Sequence, residues 1–234
     1  MGNAPDRYGM KVIARIRTGF PSKFGIPRQS GLVDELAAQV IFEPDYRNPD
    51  ALRGLEEYSH VWLVWVFSEA IRDGWSPTVR PPRLGGNQRM GVFATRSPFR
   101  PNPIGLSAVR LLGIDPHTPE GPVLRVGGAD LMDGTPILDI KPYLPFADSR
   151  PGASEGFAGR VKGRALAVRI PGEIEARIPP DILPALRGIL AEDPRPSYQD
   201  DPGRVYRFEF EGYRIGFRAA GGEAEVLEAE EVQG

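Results

Sequence analysis

Cysteine is absent from the 234 residues of this chain, and the only histidines are His60 and His117. The lack of thiols excludes disulfides, cysteine nucleophiles, iron–sulfur clusters and cysteine-ligated zinc. Two histidines are also too few for a histidine-rich metal site, and they leave a hydrolase of the Ser-His-Asp type with few candidates for its base. The chemistry of this chain therefore has to work with neither thiolates nor a cluster of imidazoles.

Long hydrophobic runs are missing as well. No stretch approaches the roughly 18 consecutive apolar residues of a membrane helix, and residues 1–11 lack the apolar segment of a signal peptide. Hydrophobic residues nevertheless make up 41% of the chain, enough for a packed core in one large or two modest domains. We expect a cytoplasmic protein.

Net charge is close to balanced, at −2 at pH 7, which argues against a uniformly basic nucleic-acid binder. The charges are unevenly placed, however. Between Arg72 and Arg110 the sequence has seven arginines and one acid, Asp73, whereas glutamates crowd the segment 223–231. This separation favours a local anion-binding surface in the middle of the chain. A general use of arginine in place of lysine is the alternative interpretation.

The most informative stretch is 91–107, which reads GVFATRSPFRPNPIGLS. Its three prolines remove backbone donors and restrict φ, so the stretch can be neither a helix interior nor a central strand. Apolar, partly β-branched residues on either side predict strands at 90–94 and 106–114. We therefore expect a stiff loop anchored between two strands, and we call residues 91–107 the signature loop.

Polar groups lie between the prolines of the signature loop: Arg96, Ser97, Arg100 and Asn102. A rigid backbone leaves them little conformational entropy to lose on binding. Two forked guanidiniums suit a carboxylate or a phosphate. A proline-rich turn with solvated arginines is the alternative.

Hydrophobic patterns predict the elements around the signature loop. The near-continuous apolar run 59–67 is typical of a core strand covered on both faces, with Trp62 and Trp65 in the core. Asn48 as N-cap and Pro49 at the first helical position predict a short helix over 48–58.

A change of composition suggests two domains. Residues 146–156 are rich in Ala, Asp, Ser, Pro and Gly, as in a linker, and we place a boundary near Gly152. The predicted domains are 1–152 and 153–234. The second contains a helix pattern at 182–191, with Asp181 as N-cap, and a hairpin pattern at 205–217, so we predict a small α+β domain.

The residues also favour one kind of reaction. Methyl transfer from a sulfonium cofactor to an amine needs alignment and the removal of one proton, and no nucleophilic triad. The glycine-rich turn of a Rossmann methyltransferase is not present, since Gly127-Gly128-Ala129-Asp130 matches it poorly.

Over about residues 12–217 the chain resembles the TrmO (TsaA-like, formerly YaeB) family of tRNA methyltransferases. The signature loop carries much of the likeness, and further motifs lie at 27–29, 60–61 and 133–136. The resemblance implies a mainly β protein, with a single antiparallel β-barrel as N-terminal domain and a small α+β C-terminal domain. It implies S-adenosylmethionine as cofactor, N6 of threonylcarbamoyl-adenosine at position 37 of tRNA as methyl acceptor, and a homodimer.

The same resemblance implies a cofactor pocket. Its residues are Pro27, Arg28, Gln29, His60, Val61, Arg96, Leu106, Asp133, Gly134, Thr135 and Pro136. In that pocket Arg96 or Arg28 would pair with the methionine carboxylate, and the Asp133 turn would accept hydrogen bonds from the adenosine or the amino group. A capped structural histidine is the other interpretation of His60.

Given the substrate that the resemblance implies, side-chain chemistry and charge indicate candidates for catalysis and for RNA binding. Asp139 is a candidate proton acceptor, with Asp133 as alternative, and Tyr143 a candidate for stacking on the base. A structural acid balanced by Lys141 or Arg100 is the other interpretation of Asp139. Contacts to the anticodon loop of tRNA are expected from Arg80, Arg83, Arg89, Arg100 and Arg195.

Two other functions stay open at this point. A non-catalytic tRNA-binding β-barrel protein would bind tRNA in a salt-sensitive way without methylating it. An enzyme acting on a small phosphate compound would show a raised KM in an Arg100→Ala variant and no response to tRNA.

Overall fold

The computed structural model describes residues 8–84, 88–160, 165–195 and 201–232, without the side chains of Arg83 and Arg160. The strands of its first part, in chain order, are β1 (Ala14–Arg17), β2 (Ala37–Phe42), β3 (His60–Val66), β4 (Thr78–Val79), β5 (Met90–Gly91), β6 (Ile104–Thr118), β7 (Gly121–Gly127) and β8 (Pro136–Pro142). Six of them close a barrel in the order β1-β2-β7-β6-β3-β8, and every ladder in it is antiparallel. The predicted barrel is confirmed.

The second part is a mixed sheet with short helices. Its strands are β9 (Ala167–Arg169), β10 (Tyr206–Phe210), β11 (Tyr213–Ala220) and β12 (Glu223–Glu231), in the order β10-β11-β12-β9, with β9 parallel to β12. Helix α1 (Pro145–Asp148) follows β8 and is bonded to the barrel, since Asp148 accepts a hydrogen bond of 3.0 Å from the Trp62 indole N–H. The helices after it are α2 (Gly156–Arg160), α3 (Gly172–Glu175) and α4 (Leu183–Ala191). No helix of the described residues is both long enough and apolar enough to cross a membrane. This small α+β part agrees with the predicted fold class.

Two predicted helices differ in detail from the structure. The segment 48–58 forms two 3₁₀ helices, Pro49–Leu52 and Leu55–Glu57, because Gly54 between them takes a left-handed conformation with φ of 85°. Asn48 does cap the first, accepting a hydrogen bond from the Asp50 N–H at 3.0 Å. The N-cap of α4 is Ile182, so the prediction of Asp181 is wrong.

Strand β3 shows how the barrel is filled. Val61, Leu63 and Trp65 point inward and are buried, while Trp62 and Val64 face outward and are only half-buried. The expected cover on both faces was therefore wrong for the outer face, and the expected core position was wrong for Trp62. Trp65 pairs with Gly105 of β6, where an added Cβ would overlap the indole ring. A side chain other than hydrogen at position 105 would displace Trp65.

The flanks of the signature loop are less strand-like than predicted. Before it, only Met90–Gly91 is a strand, paired with Thr78–Val79, and a 3₁₀ helix over Val92–Ala94 follows. On its C-terminal side, β6 begins at Ile104, within the segment 91–107 and two residues earlier than expected. Residues 95–103 form neither helix nor strand, as predicted.

Two hydrophobic clusters form the core. One fills the barrel, and the other lies between α4 and the second sheet. The second cluster also contains Phe20, Val33 and Leu36, which lie between β1 and β2, and the Phe20 ring centroid is 4.9 Å from that of Phe210. The segment between β1 and β2 is thereby held against the second sheet. The domain boundary near Gly152 stays a prediction.

Candidate active site

A cleft of about 820 Å³ opens where β3 ends and β6 begins. Four segments line it: part of the segment between β1 and β2 (23–29), the end of β3 with its continuation (65–72), the signature loop with the start of β6 (93–106), and residues 130–135. Antiparallel pairing of β3 with β6 brings the second and third segments together, since Val66 lies opposite Ile104. The size fits a nucleoside-sized ligand.

Hydrogen bonds between side chains and nearby backbone groups stiffen the signature loop. The Thr95 hydroxyl donates to the Val92 carbonyl at 2.9 Å and accepts from the Ser97 N–H at 3.3 Å. The Ser97 hydroxyl accepts from the Phe99 N–H at 3.2 Å, and an Arg100 guanidinium N–H donates to the Thr95 carbonyl at 3.1 Å. Together with the prolines, these turns hold the side chains of the loop in place.

Arg96 joins two walls of the cleft. Its guanidinium donates to the side-chain oxygen of Gln29, whose amide donates in turn to the Arg28 carbonyl. Arg28 donates to the Arg195 carbonyl at 2.9 Å. The Arg96 guanidinium is otherwise exposed at the cleft, where it can meet an anion.

A carboxylate that the sequence analysis did not select lies in the same cleft. Asp130 accepts a hydrogen bond of 2.6 Å from the Ser107 hydroxyl, and fully buried Ser107 accepts one of 3.0 Å from the Trp65 indole N–H. Burial raises the pKa of Asp130, while the Ser107 hydrogen bond and the Arg96 charge lower it by less. The result is a desolvated carboxylate near a guanidinium.

One signal in the sequence indicates a buried polar partner for Ser107, although it does not identify Asp130. Ser107 occupies an inward position of β6, between buried Gly105 and Val109. A hydroxyl at a barrel-filling position requires a buried polar partner. Which residue supplies that partner depends on the path of the chain after β7.

The cleft brings together six of the eleven residues predicted for the cofactor. These are Pro27, Arg28, Gln29, Arg96, Leu106 and Thr135. The sequence analysis missed Phe67, Ser68 and Glu69, which follow β3 directly and also line the cleft.

The other five predicted cofactor residues lie outside the cleft lining. His60 is at the opposite end of β3, with its Nδ1 at 2.9 Å from the Ser59 hydroxyl, and Val61 points into the barrel. Asp133 accepts a hydrogen bond from the Thr18 N–H at 3.0 Å. Gly134 accepts one from Arg15, and Pro136 begins β8 opposite Arg15.

Neither predicted catalytic residue lines the cleft. Asp139, on β8, forms an exposed ion pair of 2.9 Å with Lys141, the partner that its structural interpretation names. Tyr143 packs against Trp62, with ring centroids 5.5 Å apart, on the outside of the barrel.

The predicted RNA-binding arginines differ in their surroundings. Arg80 and Arg89 are exposed, Arg100 lines the cleft, and the side chain of Arg83 lies outside the described residues. Arg195 is largely buried and holds Asp193 at 2.7 and 2.8 Å. Burial raises the pKa of Asp193, but its bonds to Arg195 outweigh this and bring the pKa below its usual value.

Comparisons with known proteins add to this geometry. The family described as the tRNA-methyltransferase O N-terminal domain matches residues 15–149, and the TrmO C-terminal domain matches residues 164–232. A tRNA (adenine(37)-N6)-methyltransferase from Escherichia coli (strain K12) is 43% identical over 231 residues, covering 95% of this chain and 98% of the relative.

Two further relatives extend the likeness. A tRNA (adenine(37)-N6)-methyltransferase from Eikenella corrodens is 49% identical, covering 76% of this chain and 99% of the relative. The crystal structure of TrmO from Pseudomonas aeruginosa superposes with a TM-score of 0.76 at 33% identity, covering 96% of this chain and 99% of that one.

Proposed function

The chain belongs to the tRNA-methyltransferase O family, and from this premise we propose that it is a tRNA (adenine(37)-N6)-methyltransferase. Its methyl donor is S-adenosylmethionine, and its acceptor is N6 of threonylcarbamoyl-adenosine next to the anticodon. The observation that carries the proposal is the cleft, in which Arg96 and Asp130 offer opposite charges on neighbouring walls.

The residues of the cleft fit this donor. The amino-acid end of S-adenosylmethionine carries a carboxylate and an ammonium on one carbon, and Arg96 and Asp130 can pair with them. Leu106, 55% exposed at the cleft, offers an apolar wall for the adenine ring. In this assignment Asp130 accepts the hydrogen bonds of the amino group, a role for which the Asp133 turn was the sequence-based prediction.

S-adenosylmethionine supplies an electrophilic methyl group on a positively charged sulfur. The chain has to align the acceptor nitrogen with that methyl group and exclude other nucleophiles. The stiff signature loop serves the alignment, since its side chains lose little entropy on binding. Asp139 and Tyr143 stay the predicted catalytic residues.

Arginines around the cleft suit the acceptor. The threonylcarbamoyl group carries its own carboxylate, and Arg100, which lines the cleft, would pair with it. Exposed Arg80 and Arg89 are available for phosphates of the anticodon loop. The homodimer expected from the resemblance and the cytoplasmic location expected from the lack of long apolar runs remain part of the proposal, to be tested by sedimentation and by cell fractionation.

Labelled S-adenosylmethionine and two tRNAs test this function. Label should appear in adenosine 37 of tRNA that carries the threonylcarbamoyl group, located by nucleoside mass spectrometry, and unmodified tRNA is the control. Salt-sensitive binding of both tRNAs without label in either would instead favour the non-catalytic tRNA-binding barrel.

A further inference from the structure

Three large aromatic side chains are exposed at the rim of the cleft. Trp75 is 55% exposed, Phe93 73% and Phe99 41%. Phe93 and Phe99 line the cleft, and the Trp75 ring lies beside Phe93 with centroids 6.0 Å apart. An exposed cluster of this kind, unlike a single exposed apolar residue, marks an interaction surface.

The backbone holds these rings in place. Val92, next to Phe93, is buried, and its N–H donates to the Pro77 carbonyl at 2.9 Å. The paired strands β4 and β5 close the segment that carries Trp75 against the one that carries Phe93. Trp75 and Phe93 are therefore exposed on a backbone that strand pairing and the Val92 hydrogen bond hold in place.

The charge around the rings is positive. The Arg72 guanidinium lies over the Phe99 ring at 4.0 Å from its centroid, and Arg96 and Arg100 line the adjoining cleft. The acids of this region are Glu69 and Asp130, which line the cleft, and Asp73. Aromatic rings beside guanidiniums are the surface that binds unpaired nucleotides, by stacking and by phosphate pairing.

We propose that Trp75 and Phe93 form a stacking platform for an unpaired nucleotide beside the methylated adenosine. The proposal rests on the proposed function, which brings an anticodon loop to this cleft. The two rings are tilted by 34° with their centroids 6.0 Å apart, which leaves no parallel gap for a base between them, so a base stacks on their outer face.

The platform makes a specific energetic prediction. Removing one stacking ring should weaken binding of the loop by about tenfold, because base–aromatic stacking contributes about that much to affinity. Stacking involves no counterion release, so the dependence of affinity on salt should stay as in the wild type. Loss of an arginine contact would reduce that dependence.

The test uses the full chain and a fluorescent anticodon stem–loop RNA. Trp75→Ala and Phe93→Ala should each weaken its binding by about tenfold, while Trp75→Phe keeps the affinity within about twofold. Phe146→Ala is the matched control, since Phe146 on α1 is 85% exposed and lies beyond the cleft. It should bind as wild type. Trp75→Ala, Trp75→Phe and Phe146→Ala, whose positions lie outside the cleft lining, should keep the wild-type affinity for S-adenosylmethionine in calorimetry. Circular dichroism and urea midpoints as in the wild type should establish that all four variants, including Phe93→Ala, are folded.

Several outcomes would overturn the platform. If the wild-type protein methylates tRNA and both Trp75→Ala and Phe93→Ala bind the RNA as tightly as wild type, the platform is refuted while the proposed function stands. A change in sedimentation with no change in RNA affinity would make the rings a contact between two copies of this chain. A wild-type protein that binds and methylates no tRNA would refute the proposed function itself.

Discussion

At the scale of single residues, Arg96 and Asp130 determine which pattern of charge a ligand of the cleft needs. One is an exposed guanidinium held by Gln29, the other a desolvated carboxylate held by Ser107. A zwitterionic ligand end can satisfy both, whereas a simple phosphate would be repelled by Asp130. The pair therefore favours the methyl donor over a small phosphate compound.

Arg96→Ala should weaken binding of S-adenosylmethionine by about tenfold to a hundredfold. A hydrogen bond to a charged group contributes about 1.5–3 kcal/mol, and the methionine carboxylate would lose it. Calorimetry measures the change. Arg53→Ala is the matched control, because Arg53 is an exposed arginine paired with Asp50 on a 3₁₀ helix outside the cleft. Equal affinity in both variants would remove Arg96 from the site.

Asp130→Asn should change how stability depends on pH. Burial raises the folded-state pKa of Asp130 above its unfolded value, so the folded protein binds this proton more tightly. The resulting stabilisation is present below the unfolded pKa and is lost as pH rises through the folded pKa. The variant should lack this loss and be more stable than wild type at neutral pH, as urea unfolding across the pH range would measure.

Asp139→Asn is the control for that series. Asp139 is an exposed carboxylate paired with Lys141, and exposed ion pairs contribute at most about 1 kcal/mol. The attribution of this pH dependence to Asp130 would be contradicted if stability still fell with rising pH in Asp130→Asn but no longer did so in Asp139→Asn.

At the scale of elements, the pairing of β3 with β6 builds the cleft. It sets Trp65 on Gly105 and aligns Ser107 with the indole N–H. The same pairing directs the residues after Val66 toward the signature loop. One antiparallel ladder thus positions side chains of the site that are distant in sequence.

Gly105→Ala should destabilise the protein by about 1–3 kcal/mol, the usual cost of forcing extra volume into a packed core. Its Cβ would overlap the Trp65 ring and push it toward the cleft, so affinity for S-adenosylmethionine should fall as well. Denaturant unfolding and calorimetry measure the two effects. Gly91→Ala, where nothing lies within 4 Å of the added Cβ, should stay within about 0.5 kcal/mol of wild type.

At the scale of the whole molecule, the second hydrophobic cluster couples the barrel to the C-terminal sheet. Phe20, Val33 and Leu36 come from the segment between two barrel strands, yet they pack with α4 and the second sheet. The same segment carries Pro27, Arg28 and Gln29 to the cleft. Loosening the second cluster should therefore affect both the barrel and the site.

Phe20→Ala tests this coupling. The side chain is 1% exposed, and its loss should cost about 3–5 kcal/mol. All three tryptophans lie in the first part of the chain, at 62, 65 and 75, so their fluorescence reports the barrel. We expect the urea midpoints from fluorescence and from circular dichroism to fall together. A shift in circular dichroism alone would reveal two independent units, and exposed Phe146→Ala should shift neither.

The sequence by itself determined the local elements and the family. The strands and the loop follow from properties of neighbouring residues: the apolar run over 60–66, the prolines of the signature loop and the split hairpin pattern near Gly212. Which side chains of the run 60–66 face inward did not follow, because nearly all of its positions are apolar. The resemblance supplied the barrel and six of the residues that line the cleft.

Only the tertiary structure decided which side chains meet. Trp65, Ser107 and Asp130 lie on three segments, and their hydrogen-bonded chain depends on the register of β3 with β6 and on the turn after β7. The direction of β3 likewise places His60 at one end of the barrel and Phe67 at the cleft. Closure of a barrel is a long-range event, and short sequence patterns contain no information about the register at which it occurs.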